Sequence, residues 1–171
     1  MSLLLTPLVR NLAWHYGLID LPGQRRKIHS APIPRIGGVA IFAAVIGAYG
    51  LLLILRLSSG AIVWADLPLV LRILPALAVV FGIGLIDDIV STRPWVRLAA
   101  ETVAAILAWI GRIQVNAING YSFSGAFVSL VVTVLWIVTC TNAINLIDGV
   151  DGLATGISLF ASITMLVAPT R

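Results

Sequence analysis

Ala76-Leu77-Ala78-Val79-Val80-Phe81-Gly82-Ile83-Gly84-Leu85-Ile86-Asp87-Asp88 decides the fold of this chain: a long apolar run that ends abruptly on two adjacent carboxylates. A second run, Val128–Thr141, ends in the same manner on Asn142-Ala143-Ile144-Asn145-Leu146-Ile147-Asp148-Gly149-Val150-Asp151-Gly152. Runs of this kind span a bilayer when they reach about 20 residues. Carboxylates beside such spans are costly, so a chain that keeps them there uses them. Four of the seven acids in the chain belong to these two stretches.

The composition agrees. Of 171 residues, 60% are hydrophobic and 11% charged, with a mean hydropathy of +1.06. A soluble domain built this way would have no polar surface left. The expected fold is therefore all-α: one polytopic membrane domain over residues 1–171, with about five or six transmembrane helices. Candidate spans are Gly38–Leu55, Leu67–Ile86, Leu98–Ile110, Phe123–Ile147 and Leu153–Ala168. Ser2–Ile19 is a weaker first span, interrupted by Arg10, Asn11 and His15, and reads as the cytoplasmic end of a helix. Between Arg112 and Phe123 the apolar residues alternate and then reach Asn119-Gly120, a strong hairpin signal, since both positions accept positive φ. A small extracytoplasmic β-hairpin is expected there. The single cysteine, Cys140, excludes an internal disulfide and a cysteine metal site, and its place in an apolar run predicts core packing.

Two spans separate the loop Asp20–Arg35 from Asp87-Asp88, and two more separate that pair from Asp148 and Asp151. An even number of crossings returns the chain to the same face. That face collects Arg25, Arg26, Lys27, Arg35, Arg93 and Arg97, whereas Arg56, Arg72 and Arg112 fall on the other. The positive-inside rule makes the acidic face cytoplasmic. The net charge of +4 reflects these loops and points to no nucleic acid.

Adjacent carboxylates repel, so Asp87 and Asp88 need a cation, a proton or a basic partner. A hard ion such as Mg²⁺ takes oxygen ligands and bridges to substrate phosphates. The plainer reading is a solvated helix end, but the dipole at a helix C-terminus disfavours acids. Asn142 with Asn145, and Asp148 with Asp151, recur at helical steps of three. Gly149 and Gly152 make continuous helix unfavourable beyond Asp148. Amide and carboxylate oxygens gathered there suit a nucleobase, a ribose or a metal, and otherwise cap a helix. The basic loop suits phosphate, or simply anchors the chain at the membrane surface. Glu101 lies one turn after Arg97 and is expected to pair with it. Trp64 and Trp95 read as interfacial residues.

Three stretches carry a resemblance. They are Asp20-x-Pro22 with Arg26-Lys27-x-His29-x-x-Pro32-x-Pro34-Arg35-x-Gly37-Gly38, then Gly84-Leu85-Ile86-Asp87-Asp88, then Thr141 to Ala154. Their order and spacing resemble the polyprenyl-phosphate N-acetylhexosamine-1-phosphate transferases, glycosyltransferase family 4. The loop form is similar to the branch that begins O-antigen, enterobacterial common antigen or teichoic acid linkage units. The resemblance implies transfer of N-acetylhexosamine-1-phosphate, with GlcNAc the expected sugar, from a UDP-sugar to undecaprenyl phosphate at the inner membrane of a bacterium, with release of UMP. It implies Mg²⁺, with Mn²⁺ as the alternative ion. Asp87, Asp88, Asp148 and Asp151 take catalytic positions, and Arg26, Lys27, His29, Arg97, Asn142 and Asn145 take substrate-binding ones. Asp88, Asn145 and Asp151 fall nearest the metal. Family members have more spans, a third acidic motif and a His-rich loop further on, so the chain is expected to be an N-terminal portion. Its expected partners are the bilayer, the two substrates, and a second copy or a complementing C-terminal half. The competing readings are a non-catalytic membrane subunit of the same fold and an ion or proton transporter.

Overall fold

A computed structural model describes residues 1–20, 33–34, 36–55, 60–118, 120–122, 125–148 and 152–167. The chain forms two compact units, Met1–Arg112 and Ile113–Arg171. The first contains α1 (Ser2–His15), β1 (Ile19–Asp20), β2 (Ile33–Pro34), α2 (Gly37–Leu55), α3 (Gly60–Val90) and α4 (Pro94–Ile110). The second contains β3 (Ala117–Ile118), β4 (Tyr121–Ser122), α5 (Ala126–Ile147) and α6 (Leu153–Val167).

Among the described residues three helices are long and apolar enough to cross a membrane: Gly37–Leu55, Val63–Val90 and Ala126–Ile147. α4 has 17 residues and carries Arg97 and Glu101, and α6 has 15. This is the expected polytopic helical membrane fold with its small hairpin. α3 starts at Gly60, earlier than the hydropathy boundary at Leu67, and holds both Pro68 and Pro75 inside the helix.

Antiparallel packing in the first unit follows from side chains at both ends. Phe42 of α2 stacks on Phe81 of α3, with ring centroids 4.0 Å apart. Toward the other end of the pair, the Tyr49 hydroxyl donates to the Val63 carbonyl at 3.1 Å, and Trp64 Nε1 donates to the Leu53 carbonyl at 3.2 Å. The start of α2 and the end of α3 therefore lie at one end of the pair. β1 and β2 pair antiparallel just before α2, with Ile19 opposite Pro34 and Asp20 opposite Ile33. α4 folds back along α3, so that Arg97 reaches Asp87 at one end while Gly111 meets the Arg72 backbone at the other.

The packing inverts the soluble pattern. Every buried aliphatic residue among the described ones is an alanine: Ala13, Ala40, Ala44, Ala76, Ala104, Ala105, Ala108 and Ala154. Large apolar side chains such as Ile41, Leu71, Phe127, Leu135 and Phe160 are exposed. Small residues let helix backbones approach, and lipid tails solvate the large ones as well as protein would. On α4 the buried face is Glu101, Ala104, Ala105 and Ala108, one helical stripe that Gly111 continues. Cys140 is exposed, which corrects the expectation of core packing. On a membrane helix an apolar thiol can face lipid at no cost, so hydropathy does not imply burial by protein.

In the second unit, the segment before the hairpin is stapled to the first turns of α5. The Val115 N–H donates to Thr133 Oγ1 at 2.9 Å, and that hydroxyl donates to the Ser129 carbonyl at 2.6 Å. Ser129 Oγ donates to Asn116 Oδ1 at 2.8 Å. The hairpin pairs Ala117 with Ser122 and Ile118 with Tyr121, and Gly120 takes φ +84° in its turn. Asn119 lies outside the described residues.

Candidate functional site

The α3–α4 corner is built by a proline. Pro94 opens α4 and lacks the N–H that the first helical position would waste, and it holds Arg93 extended at φ −69°, ψ 142°. α3 must therefore stop at Val90, and Ser91 makes the turn in the left-handed region at φ +54°. This geometry delivers Thr92 to the side chain of Asp87. Both the Thr92 N–H (2.8 Å) and its hydroxyl (2.6 Å) donate to Asp87 Oδ1. The other oxygen, Oδ2, lies 3.5 Å from Arg97 Nη1, and both side chains are 29% exposed. Arg97 Nε in turn lies 3.5 Å from Glu101 Oε1, whose side chain is 5% exposed. The expected Arg97–Glu101 pair is present, extended by the Asp87 contact into a three-residue chain of charge across two helices.

Asp87 is thus held in one orientation from two sides at a helix end whose dipole disfavours its charge. Asp88 follows it in the last turn of α3 and is half-buried. Thr92 is the residue that sequence reading missed. Its signal was a hydroxyl two positions before a helix-opening proline and one turn past an acid.

In the second unit α5 continues as helix through Asn142 and Asn145 to Ile147, and Asp148 is its C-cap. The Asp148 N–H donates to the Ile144 carbonyl at 3.0 Å. Asn142 Nδ2 donates back to the Val138 carbonyl at 2.9 Å, which leaves its amide oxygen directed away from that bond. Asn142, Asn145 and Asp148 recur every three residues, so all lie toward one side of the helix end, within about 9 Å along its axis. Gly152 takes φ +75° just ahead of α6, so the chain bends where the glycines predicted. Arg26, Lys27, His29 and Asp151 lie outside the described residues.

The structure thus joins Asp87 to Arg97 in one unit and lines up Asn142, Asn145 and Asp148 in the other. The donor chemistry for a metal is right: carboxylate and amide oxygens suit Mg²⁺ or Mn²⁺. Among the described residues, however, no three acidic, histidine or cysteine side chains form a group able to hold an ion.

Comparison with known proteins gives the class. Residues 69–170 match the profile of glycosyl transferase family 4, and the chain belongs to this family. It is 31% identical over 169 residues to a Bacillus subtilis protein described as a probable undecaprenyl-phosphate N-acetylglucosaminyl 1-phosphate transferase, covering 96% of this chain and 44% of that one. It is 34% identical over 165 residues to the decaprenyl-phosphate N-acetylglucosaminephosphotransferase of Mycobacterium tuberculosis, covering 92% and 40%. It is 28% identical over 167 residues to the undecaprenyl-phosphate alpha-N-acetylglucosaminyl 1-phosphate transferase of Escherichia coli K12, covering 92% and 42%. The chain spans less than half the length of each of these relatives. No solved structure matches it significantly.

Proposed function

We propose that this chain acts in the transfer of N-acetylhexosamine-1-phosphate, with GlcNAc the favoured sugar, from a UDP-sugar to a polyprenyl phosphate in the cytoplasmic leaflet of a bacterial inner membrane. The observation that carries the reading is the orientation of Asp87 by Thr92 and Arg97 beside Asp88, at the end of a membrane helix. The names of the relatives add the acceptor class and the transferred group.

In this reading an oxygen of the lipid phosphate attacks the β-phosphorus of the UDP-sugar. A new P–O bond forms, the bond from that phosphorus to the bridging oxygen breaks, and UMP leaves. Any proton on the attacking phosphate passes to a carboxylate of the Asp87-Asp88 pair. Catalysis of this kind is mostly positioning and charge neutralisation. Arg97, with Arg26, Lys27 and His29 of the first loop, supplies positive charge for the diphosphate. Asn142, Asn145 and Asp148 offer hydrogen-bonding groups for the uridine end. A divalent cation is part of the proposal and would neutralise phosphate charge when bound; Asp88, Asn145 and Asp151 are the positions that the family resemblance puts nearest to it.

The test is UMP release by membranes holding the complete reading frame, supplied with polyprenyl phosphate and UDP-N-acetylglucosamine. Activity lost on Asp88→Asn with normal insertion supports the reading. A correctly inserted wild-type protein that releases no UMP ends it. The non-catalytic alternative predicts UMP release only when a second polypeptide is co-expressed.

A further inference from the structure

The other end of the α3–α4 pair carries a charged feature that the transfer reading does not use. A groove of about 360 Å³ is lined by Arg72, Pro75, Leu107, Ile110, Gly111 and Arg112. Both arginines are exposed, and among the described residues no carboxylate pairs with either.

The backbone shows how they are brought together. A helix that ends in a left-handed residue normally places glycine there. Here Arg112 takes that conformation, at φ +74°, and the glycine sits one position earlier. A Cβ at residue 111 would stand 2.8 Å from the Arg72 carbonyl oxygen. The glycine is thus committed to close approach between the helices, and the uncommon backbone falls on Arg112. The result sets two guanidinium-bearing residues on one groove with an apolar wall.

Depth indicates what fills it. Arg72 is about 22 Å along α3 from Asp87, and Arg112 is a similar distance along α4 from Arg97. The hydrocarbon core is about 30 Å thick. With the acidic corner at one boundary, both arginine backbones stop short of the opposite headgroup layer, within the reach of a snorkelling side chain. A phosphate bound by two arginine forks at this level, against Leu107 and Ile110, must belong to a molecule with an apolar part.

We propose that Arg72 and Arg112 form a binding site for the phosphodiester of an anionic phospholipid, with its glycerol and first acyl carbons against Leu107 and Ile110. The site lies at the opposite end of the helix pair from Asp87 and is independent of the transfer chemistry.

The test uses the whole chain in detergent, stripped of lipid and titrated separately with dioleoylphosphatidylglycerol and dioleoylphosphatidylcholine, bound lipid being counted by native mass spectrometry. Wild type is expected to retain the phosphatidylglycerol about tenfold more tightly than the phosphatidylcholine, and Arg72→Gln/Arg112→Gln to lose that preference. Arg112→Gly keeps the experiment decisive should the double variant fail to fold. Glycine accepts the φ of this position freely, so the protein is expected to fold at least as well while losing about fivefold in phosphatidylglycerol retention. Unchanged retention in a folded Arg112→Gly protein overturns the proposal. Displacement of the lipid by millimolar inorganic phosphate also overturns it, by making the groove a site for the free anion.

Discussion

Thr92 closes on a single oxygen of Asp87 with two donors, its backbone N–H at 2.8 Å and its hydroxyl at 2.6 Å. The contact fixes the torsion of a carboxylate on the last turn of α3 and turns its second oxygen toward Arg97. Thr92→Val removes the hydroxyl and keeps the shape. The expected cost in stability is about 1 kcal/mol, because the backbone donor remains. The expected loss in UMP release is larger, about tenfold or more, because a carboxylate held by one donor fewer misplaces the lipid phosphate. Thr92→Ser should stay within about threefold of wild type, since it retains the donor. Equal activity of the valine and serine variants would remove the positioning role.

Arg97 bridges Asp87 and the buried Glu101. Replacing it by glutamine withdraws the charge beside a carboxylate that is 5% exposed. A destabilisation of about 2–3 kcal/mol is expected, below the roughly 3–5 kcal/mol of a fully buried pair because the Arg97 side chain is 29% exposed. Adding Glu101→Gln to Arg97→Gln should recover much of it, since the buried charge is then gone. Thermal unfolding of the two single variants and the double one, in the same detergent, measures the coupling. Additive losses would mean that the two side chains do not act as a pair.

The helix pair is sensitive to one glycine and indifferent to another. Gly111→Ala would set a methyl group 2.8 Å from the Arg72 carbonyl oxygen, backbone against backbone, where no side chain can yield. About 1–3 kcal/mol of destabilisation is expected. A Cβ at Gly84, inside α3, meets nothing within 4 Å. Gly84→Ala is expected to be neutral or to stabilise by up to about 1 kcal/mol, through the lower entropy cost of alanine in a helix. The two melting temperatures relative to wild type check the contrast.

Much of this architecture is legible in the residues, because a bilayer demands long apolar segments and penalises everything else. α2 begins within one residue of its hydropathy boundary, the Asn-Gly signal marks the hairpin, and α5 stops at Asp148 ahead of the glycines. What hydropathy cannot read is the side of a helix that faces protein. The buried apolar positions among the described residues are alanines, which score no higher than the leucines facing outward, and Cys140 is indistinguishable by hydropathy from a packed residue. Of the candidate site, the acids and Arg97 stand out because charge is rare here. Thr92 does not, since its role depends on the turn that Ser91 and Pro94 make around it.

Ser129 and Thr133 look like neutral interruptions of an apolar run, yet they are buried and hold the pre-hairpin segment to α5. Thr133→Val keeps the volume and removes the acceptor for the Val115 N–H. The expected cost is about 1–3 kcal/mol, the penalty for an amide left without its partner. Amide exchange at Val115 should speed up selectively, while α6 amides keep their wild-type rates. Thr133→Ser restores the acceptor and should restore slow exchange. Uniformly faster exchange across the unit would point to global loosening instead of a lost staple.

The proposed active face makes a topological demand that can be measured in cells. Lys27, Asp88 and Asp151 must open to the same side of the membrane if one pocket is to hold a lipid phosphate and a nucleotide-sugar. In a Cys140→Ser background, Lys27→Cys, Asp88→Cys and Asp151→Cys are each expected to resist a membrane-impermeant maleimide in intact cells and to react once the membrane is opened. Tyr121→Cys, in the exposed hairpin, should show the opposite pattern, because an odd number of crossings separates it from Asp88 if α4 spans the bilayer. Labelling of Asp88→Cys and Asp151→Cys from opposite sides would rule out a shared pocket. Labelling of Tyr121→Cys from the same side as Asp88→Cys would instead make α4 a re-entrant hairpin that returns without crossing, and the even count of crossings between the two acidic motifs would fail with it.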